Sequence, residues 1–173
     1  ADVLGAFTYT GTFEIHAAHY GAKSVLGIDI SESAVAQANK NAALNKLDHI
    51  VKFETMNAFD VLKTWGKEGR KYDVVMLDPP AFTKSRNSID KAITGYKEIN
   101  LRGMKMINSG GFLVTSSCTN LVSPELFLDT IDMAARDAKK RIRQVTYQSQ
   151  SSDHPIIWGM EKLNTDLFLP NLI

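Results

Sequence analysis

A chain of 173 residues, 44% apolar and 23% charged, is long enough for one well-buried core and short for two domains. Its single cysteine forbids an internal disulfide, which fits a reducing, cytoplasmic setting, and a formal net charge of +1 argues neither for nor against a nucleic-acid partner. No apolar run approaches the roughly 20 residues of a membrane span, and no signal-peptide pattern opens the chain, so no membrane partner is expected.

Strand-like and helix-like segments alternate along the chain, without repeats, low-complexity tracts or linkers. "DVLGAF" is a short apolar strand that ends in a turn. "TFEIHAAHYG" has helical spacing, with Phe13, Ala17 and Tyr20 on one face and Gly21 as a stop. "KSVLGIDI" predicts a strand, after which Ser31 caps a helix through "ESAVAQANKNAALN". "IVKFETM" alternates as a strand does, and "AFDVLKTWGKEG" predicts a helix closed by glycine. "YDVVMLD" is a continuous apolar run closed by Asp78 and two prolines. "DKAITGYKEINLRGMKMIN" predicts a long helix and "GGFLVTSSC" a buried strand. "SPELFLDTIDMAARDAKK" opens with a cap and a proline at the first helical position. "RIRQVTYQ" and "TDLFLPNLI" predict two further strands, for seven in all.

Alternating strands and helices with near-continuous apolar strands predict a mostly parallel sheet covered on both faces. In such sheets the site lies beyond the carboxyl ends of the strands. The first tip is "FTYTGTF", where Gly11 lets backbone approach a ligand; a three-glycine dinucleotide fingerprint is absent, which disfavours a nicotinamide enzyme. At the second tip, Asp29 can accept hydrogen bonds from both hydroxyls of a ribose, or can simply cap a helix. At the third, Asn57 suits an adenine edge and Phe59 could pack on its ring. Helix capping by Asn57, with Phe59 in the core, is the favoured reading of those residues alone. At the fourth, "LDPPAFTKS", the prolines hold the chain extended and leave carbonyls open to an exocyclic amine, with Asp78 between cofactor and base.

"FTYTGTF", "GIDIS", "LDPPAFTKS", "GYKEIN", "GGFLVTSSCT" and "DHP" follow the order and spacing of the class I S-adenosylmethionine-dependent methyltransferases. Over essentially its whole length the chain resembles the catalytic domain of bacterial 23S ribosomal RNA 5-methylcytosine methyltransferases. The resemblance implies a Rossmann-like α/β fold: a mostly parallel seven-stranded sheet with one antiparallel strand, and helices on both faces. It implies S-adenosylmethionine as cofactor, 23S ribosomal RNA as partner and room for a homodimer. Residues 1–173 would be one catalytic domain. Family members carry an RNA-binding PUA domain and a small linking domain ahead of it, so the chain is expected to be a fragment.

By the same resemblance, Phe7, Tyr9 and Gly11 border the methionine moiety. Asp29 holds the ribose, Asn57 faces the adenine, Asp78 lines the junction of cofactor and base, and Ile30 and Ala58 also bind the cofactor. Pro79, Pro80, Phe82 and Lys84 fall on the substrate side, and Cys118 becomes the nucleophile. The chain departs from the family at Gly5, where an acidic residue is usual, at Thr12, usually glycine, and at Asn57, usually aspartate. The missing carboxylate at position 5 removes a contact to the cofactor's amino group.

Carbon 5 of cytosine is a poor nucleophile, and attack of a thiolate on carbon 6 creates an enamine-like intermediate that can take a methyl group at carbon 5. A carboxyl near N3, for which Asp78 is the candidate, stabilises the protonated ring. A base must then remove the carbon 5 proton. Ala81 excludes a helper cysteine directly after the prolines, leaving water, Asp153 or His154. Lys84 or Arg86 could favour the thiolate or grip phosphate, and "KKRIR" at 139–143 could meet RNA, although a helix end is the plainer reading. Tyr96 is structural or shapes the site. His16, His19 and His49 lack metal-ligand company, so no metal is expected. Two rival readings stand beside the leading one. The first is methylation of a base nitrogen such as guanine N7, which needs no thiol. The second is a non-catalytic RNA-binding module on the same fold.

Overall fold

The computed structural model describes residues 1–83, 85–119, 121–148 and 171–172. Five parallel strands form the sheet: β1 (Asp2–Ala6), β2 (Ser24–Asp29), β3 (Val51–Thr55), β4 (Tyr72–Leu77) and β5 (Ile107–Thr115). A two-residue strand, β6 (Asn171–Leu172), pairs antiparallel with the end of β5. The order is β3-β2-β1-β4-β5-β6, so the chain reverses direction across the sheet between β1 and β4. Such a switch point leaves a crevice above the two adjacent strand ends. Ala6 and Leu77, the last residues of β1 and β4, are register partners there.

Helices α1 (Thr12–His19) and α2 (Glu32–Leu44) cover one face, and α3 (Ala58–Glu68), α4 (Ile89–Lys105) and α5 (Pro124–Asp137) the other. Period-two alternation along the strands feeds both layers. Val3, Val25, Val51 and Phe53 pack with α1 and α2, whereas Leu4, Ile28, Val75, Leu77 and Leu113 pack with α3, α4 and α5. The caps follow the sequence. Ser31 Oγ accepts from the Ala34 amide at 3.3 Å and Ser123 Oγ from the Leu126 amide at 3.2 Å, while Gly69 ends α3 with φ 76°.

Two features depart from the sequence-based expectations. The seven-stranded sheet is not found: five parallel strands carry the described sheet, and residues 141–148 form no strand. That segment carries arginine and glutamine among its apolar residues, and Ile142, Val145 and Tyr147 stay exposed, so it offers no continuous face for the core. The expected last strand, 165–173, lies outside the described residues except for β6. The buried face of α1 also differs. Phe13 and Tyr20 are 45% and 82% exposed, whereas Glu14, Ile15 and Ala18 turn inward.

The inward glutamate fits a gap made by glycine. One row across the sheet runs Phe53, Gly27, Gly5, Met76, each the register partner of the next. The Phe53 ring lies over Gly27, and the Glu14 carboxyl lies over Gly5, where an added Cβ would fall on its Oε1.

Candidate active site

A cavity of about 590 Å³ opens above the strand tips, within the range of small-molecule sites. Phe7 and Tyr9 from the turn after β1 line it, with Asp29 and Ile30 after β2 and Asn57, Ala58 and Phe59 at the start of α3. Asp78, Pro79 and Pro80 follow from β4, and Cys118 completes it three residues beyond β5. Ten of the residues expected from the sequence thus share one cavity. Gly11 is not among its lining residues; its φ of 83° caps α1, and the Phe53 ring occupies the space a side chain would need. Phe82 packs against Tyr96 rather than lining the cavity. Lys84, Asp153 and His154 lie outside the described residues.

The β1 turn is bent around Asp29. Phe7 and Tyr9 take the left-handed φ values of 66° and 48°, which are uncommon for side chains of this size. The Phe7 and Thr8 amides both donate to the Ile28 carbonyl, at 2.9 and 3.2 Å. The Tyr9 amide donates to Asp29 Oδ2 and the Ser31 amide to Oδ1, each at 2.9 Å. Asp29 therefore organises the loop first, and each carboxylate oxygen keeps a lone pair for a ribose hydroxyl. Asn57 Oδ1 accepts from the Phe59 amide at 3.0 Å, the capping role favoured by its residue type. These acceptors, the apolar Ile30 and Phe59 surfaces and the cavity volume suit an adenosine with a short polar tail.

On the other side the segment after β5 is stitched to the Asp-Pro-Pro turn. The Ser116 amide continues the ladder to the Leu77 carbonyl at 3.1 Å, and the Ser116 hydroxyl donates to Asp78 Oδ1. Burial pushes the Asp78 carboxyl above its ordinary range, and the Ser116 bond only partly offsets this. The half-buried Cys118 thiol donates to the Pro79 carbonyl at a Sγ–O distance of 3.7 Å, so one of the carbonyls expected to be open is engaged. Thr119 Oγ1 accepts from the Phe82 amide at 3.2 Å and bonds the Tyr96 hydroxyl at 2.6 Å. Five rings then run from the cavity wall into the core: Phe7, Phe59, Phe82, Tyr96 and Phe127, with neighbouring centroids 5.7, 5.8, 4.5 and 5.3 Å apart.

Sequence reasoning missed Ser116, a plain serine in a serine pair, and Glu14. The signal for Glu14 was the pairing of Gly5 on β1 with a glutamate in the first turn of the next helix. Lys139, Lys140 and Arg141 line a separate cavity of about 330 Å³ beside the start of β5, the opposite end of that strand from Cys118. Among the described residues no group of three or more His, Cys, Asp or Glu is arranged to hold a metal ion, and no helix is long and apolar enough to cross a membrane.

Comparison with known proteins agrees with this geometry. The chain is 41% identical over 156 residues to the ribosomal RNA large subunit methyltransferase I of Shewanella frigidimarina, covering 90% of the chain and 39% of that protein. It is 39% identical over 158 residues to the protein of the same name from Alteromonas mediterranea, covering 91% of the chain and 40% of that protein. The chain thus spans about two-fifths of the length of the curated relatives it matches. A solved structure from Streptococcus mutans, assigned as a SAM-dependent methyltransferase, superposes with a TM-score of 0.82 at 21% identity, over 99% of this chain and 44% of that one. Residues 1–159 match the family model of the S-adenosylmethionine-dependent methyltransferases. The chain belongs to that family, and its cofactor is S-adenosylmethionine.

Proposed function

We propose that the chain is the catalytic domain of a longer enzyme that methylates carbon 5 of a cytosine in 23S ribosomal RNA through a covalent bond to Cys118. The observation that carries this reading is the meeting of Cys118 and Asp78 on one cavity, with Pro79 and Pro80 between them. The names of the relatives support the substrate, and their greater length leaves room for an RNA-binding PUA domain and a linking domain. Cytoplasmic action on ribosomal RNA follows from that substrate.

The cofactor supplies an electrophilic methyl group. Asp29, Ile30, Asn57 and Ala58 would hold its nucleoside, and Phe7 and Tyr9 its methionine end. The target cytosine must be unpaired or flipped out of its stack to enter. The Cys118 thiolate then bonds to carbon 6. The displaced electron pair moves through carbons 5 and 4 to N3, which takes a proton from Asp78. Burial favours the neutral acid needed for that donation, and with Oδ1 bonded to Ser116, Oδ2 is the atom that would meet N3. Loss of the Cys118 proton also releases the Pro79 carbonyl, which can then accept from the cytosine amine. Carbon 5 would take the methyl group, the bonding pair staying on the cofactor sulfur, which would leave as a neutral thioether, and N3 returns its proton to Asp78. Removal of the carbon 5 proton restores the ring double bond as the sulfur leaves with its electron pair.

Ribosomal RNA carrying 5-fluorocytidine at the target tests the scheme, because fluorine at carbon 5 cannot depart as a proton. With the full-length protein and S-adenosylmethionine, a covalent adduct at Cys118 is the expected result. Methylation of a base nitrogen with no adduct would overturn it.

A further inference from the structure

We propose that the Glu14 carboxyl is the binding partner of a cationic ligand group, the positively charged methionine end of the cofactor; the proposal rests on the cofactor reading above. Glu14 lies in the first turn of α1 and is 2% exposed. Its side chain folds over Gly5, the residue before the last of β1, in space open only because Gly5 has no Cβ. Oε2 is buried and has no hydrogen-bond partner. A neutral acid kept only as filler would place its hydroxyl on an acceptor, and an aliphatic side chain would fill the gap without leaving a polar atom unpaired.

The surroundings specify the sign of the missing partner. From its own element, Glu14 receives its own backbone amide. His16 of that helix is turned to the Thr12 carbonyl at 2.8 Å. Asp29 at the end of β2 and Asp78 just after β4, both on the cavity, act on it electrostatically, while Glu14 itself sits behind the residues that line that cavity. Burial first, and these two neighbours next, push the Glu14 carboxyl up to about 8. In the free protein it is therefore mostly protonated at neutral pH. A cation seated among the three carboxyl groups reverses that preference, so binding should expel one proton. The space a side chain at position 5 would fill is thus taken by a carboxyl delivered from α1.

Isothermal titration of the full-length protein with three nucleosides tests this. S-adenosylmethionine carries ammonium and sulfonium charges, S-adenosylhomocysteine only the ammonium, and 5′-methylthioadenosine neither. For wild type, affinity for the charged ligands should rise about tenfold per pH unit from pH 6 towards 8, with about one proton released, and then level off. Glu14→Gln, which matches the protonated side chain in shape, should bind them with flat pH dependence and at least ~10-fold more weakly at pH 8.5. Methylthioadenosine should bind both proteins equally at every pH, which also reports that the variant is folded. The double variant Gly5→Asp/Glu14→Ala, which moves the carboxyl to β1, should regain tight binding of the charged ligands. A pH dependence that follows S-adenosylmethionine alone assigns the sulfonium as partner; one shared with S-adenosylhomocysteine assigns the ammonium. Unchanged affinity and pH dependence in Glu14→Gln would overturn the proposal. Failure of wild type to bind any of the three would overturn the cofactor reading with it, whereas methylation of a base other than cytosine would leave this inference standing.

Discussion

On the β1–β3 side of the cavity the walls are held by backbone donors, whereas on the β4–β5 side they are held by side-chain hydroxyls. Asp29 gathers the Tyr9 and Ser31 amides, and two residues accept left-handed backbone to reach it. Across the crevice, Ser116 and Thr119 fix Asp78, Phe82 and Tyr96, around two prolines that need no bonded amide. Backbone amides tied to one carboxylate and one carbonyl fix the shape of the loop, so this side suits a cofactor whose shape never varies. A side-chain hydroxyl can tune one acid without moving the chain, which suits chemistry. The expectation is that damage on one side should appear in binding and on the other in rate.

The largest break is Cys118→Ala. Methyl transfer should fall by at least ~1,000-fold while the cofactor dissociation constant stays unchanged, measured by turnover and calorimetry. Full activity in that variant would sink the covalent mechanism. Asp29→Ala should do the reverse, weakening cofactor binding on the order of 100-fold through loss of charge-assisted bonds and of the loop they hold. A variant that lost turnover at saturating cofactor instead would erase the distinction between the two sides. Ser116→Ala is milder: about tenfold in kcat with cofactor affinity intact. Removing a donor to the carboxylate pushes the Asp78 carboxyl further up, so the pH at which kcat declines through Asp78 ionisation should move higher.

The last effect reads stability rather than rate or binding. Glu14 binds its proton more tightly folded than unfolded, since about 8 lies above its ordinary 4.5. The folded state therefore holds more protons between those values, and stability falls as pH rises through that window. The loss is on the order of a few kcal/mol in total. Glu14→Gln should leave the Tm of the ligand-free protein near pH 5 unchanged and raise it at pH 9 by on the order of 10 °C. An unchanged Tm difference between those pH values would show that Glu14 is not the group responsible.

Local signals carried most of the fold. Ser31, Ser123 with Pro124, and Gly69 marked helix ends that the structure places at those positions. Asp78 and Cys118 were legible because each ends a long apolar run, and strand tips of a doubly wound sheet converge. What failed was choice of face and choice of partner. Phe13 and Tyr20 outrank a glutamate in any hydrophobicity pattern, yet only the empty space over Gly5, a tertiary fact, explains why Glu14 turns inward. Residues 141–148 alternate well enough to suggest a strand, but alternation alone cannot supply a free sheet edge and a face to bury. Gly11 does not line the cavity, and its missing side chain makes room for the Phe53 ring, because sequence shows that glycine permits close approach and not what approaches.

The row of five rings has a consequence for how this cavity can be reshaped. Phe7 and Phe59 face the opening, while Phe127, the last of the row, has no exposed surface. Wall and interior are one continuous piece of packing material. Replacing any ring by a small side chain opens a void shared by the rings on either side, at roughly 3–5 kcal/mol for a buried phenyl. A lineage that adapts this site to another ligand therefore cannot trim its aromatic wall freely. Compensating volume must appear several residues deeper, and the route to a new specificity passes through the foundations of the domain rather than along its surface.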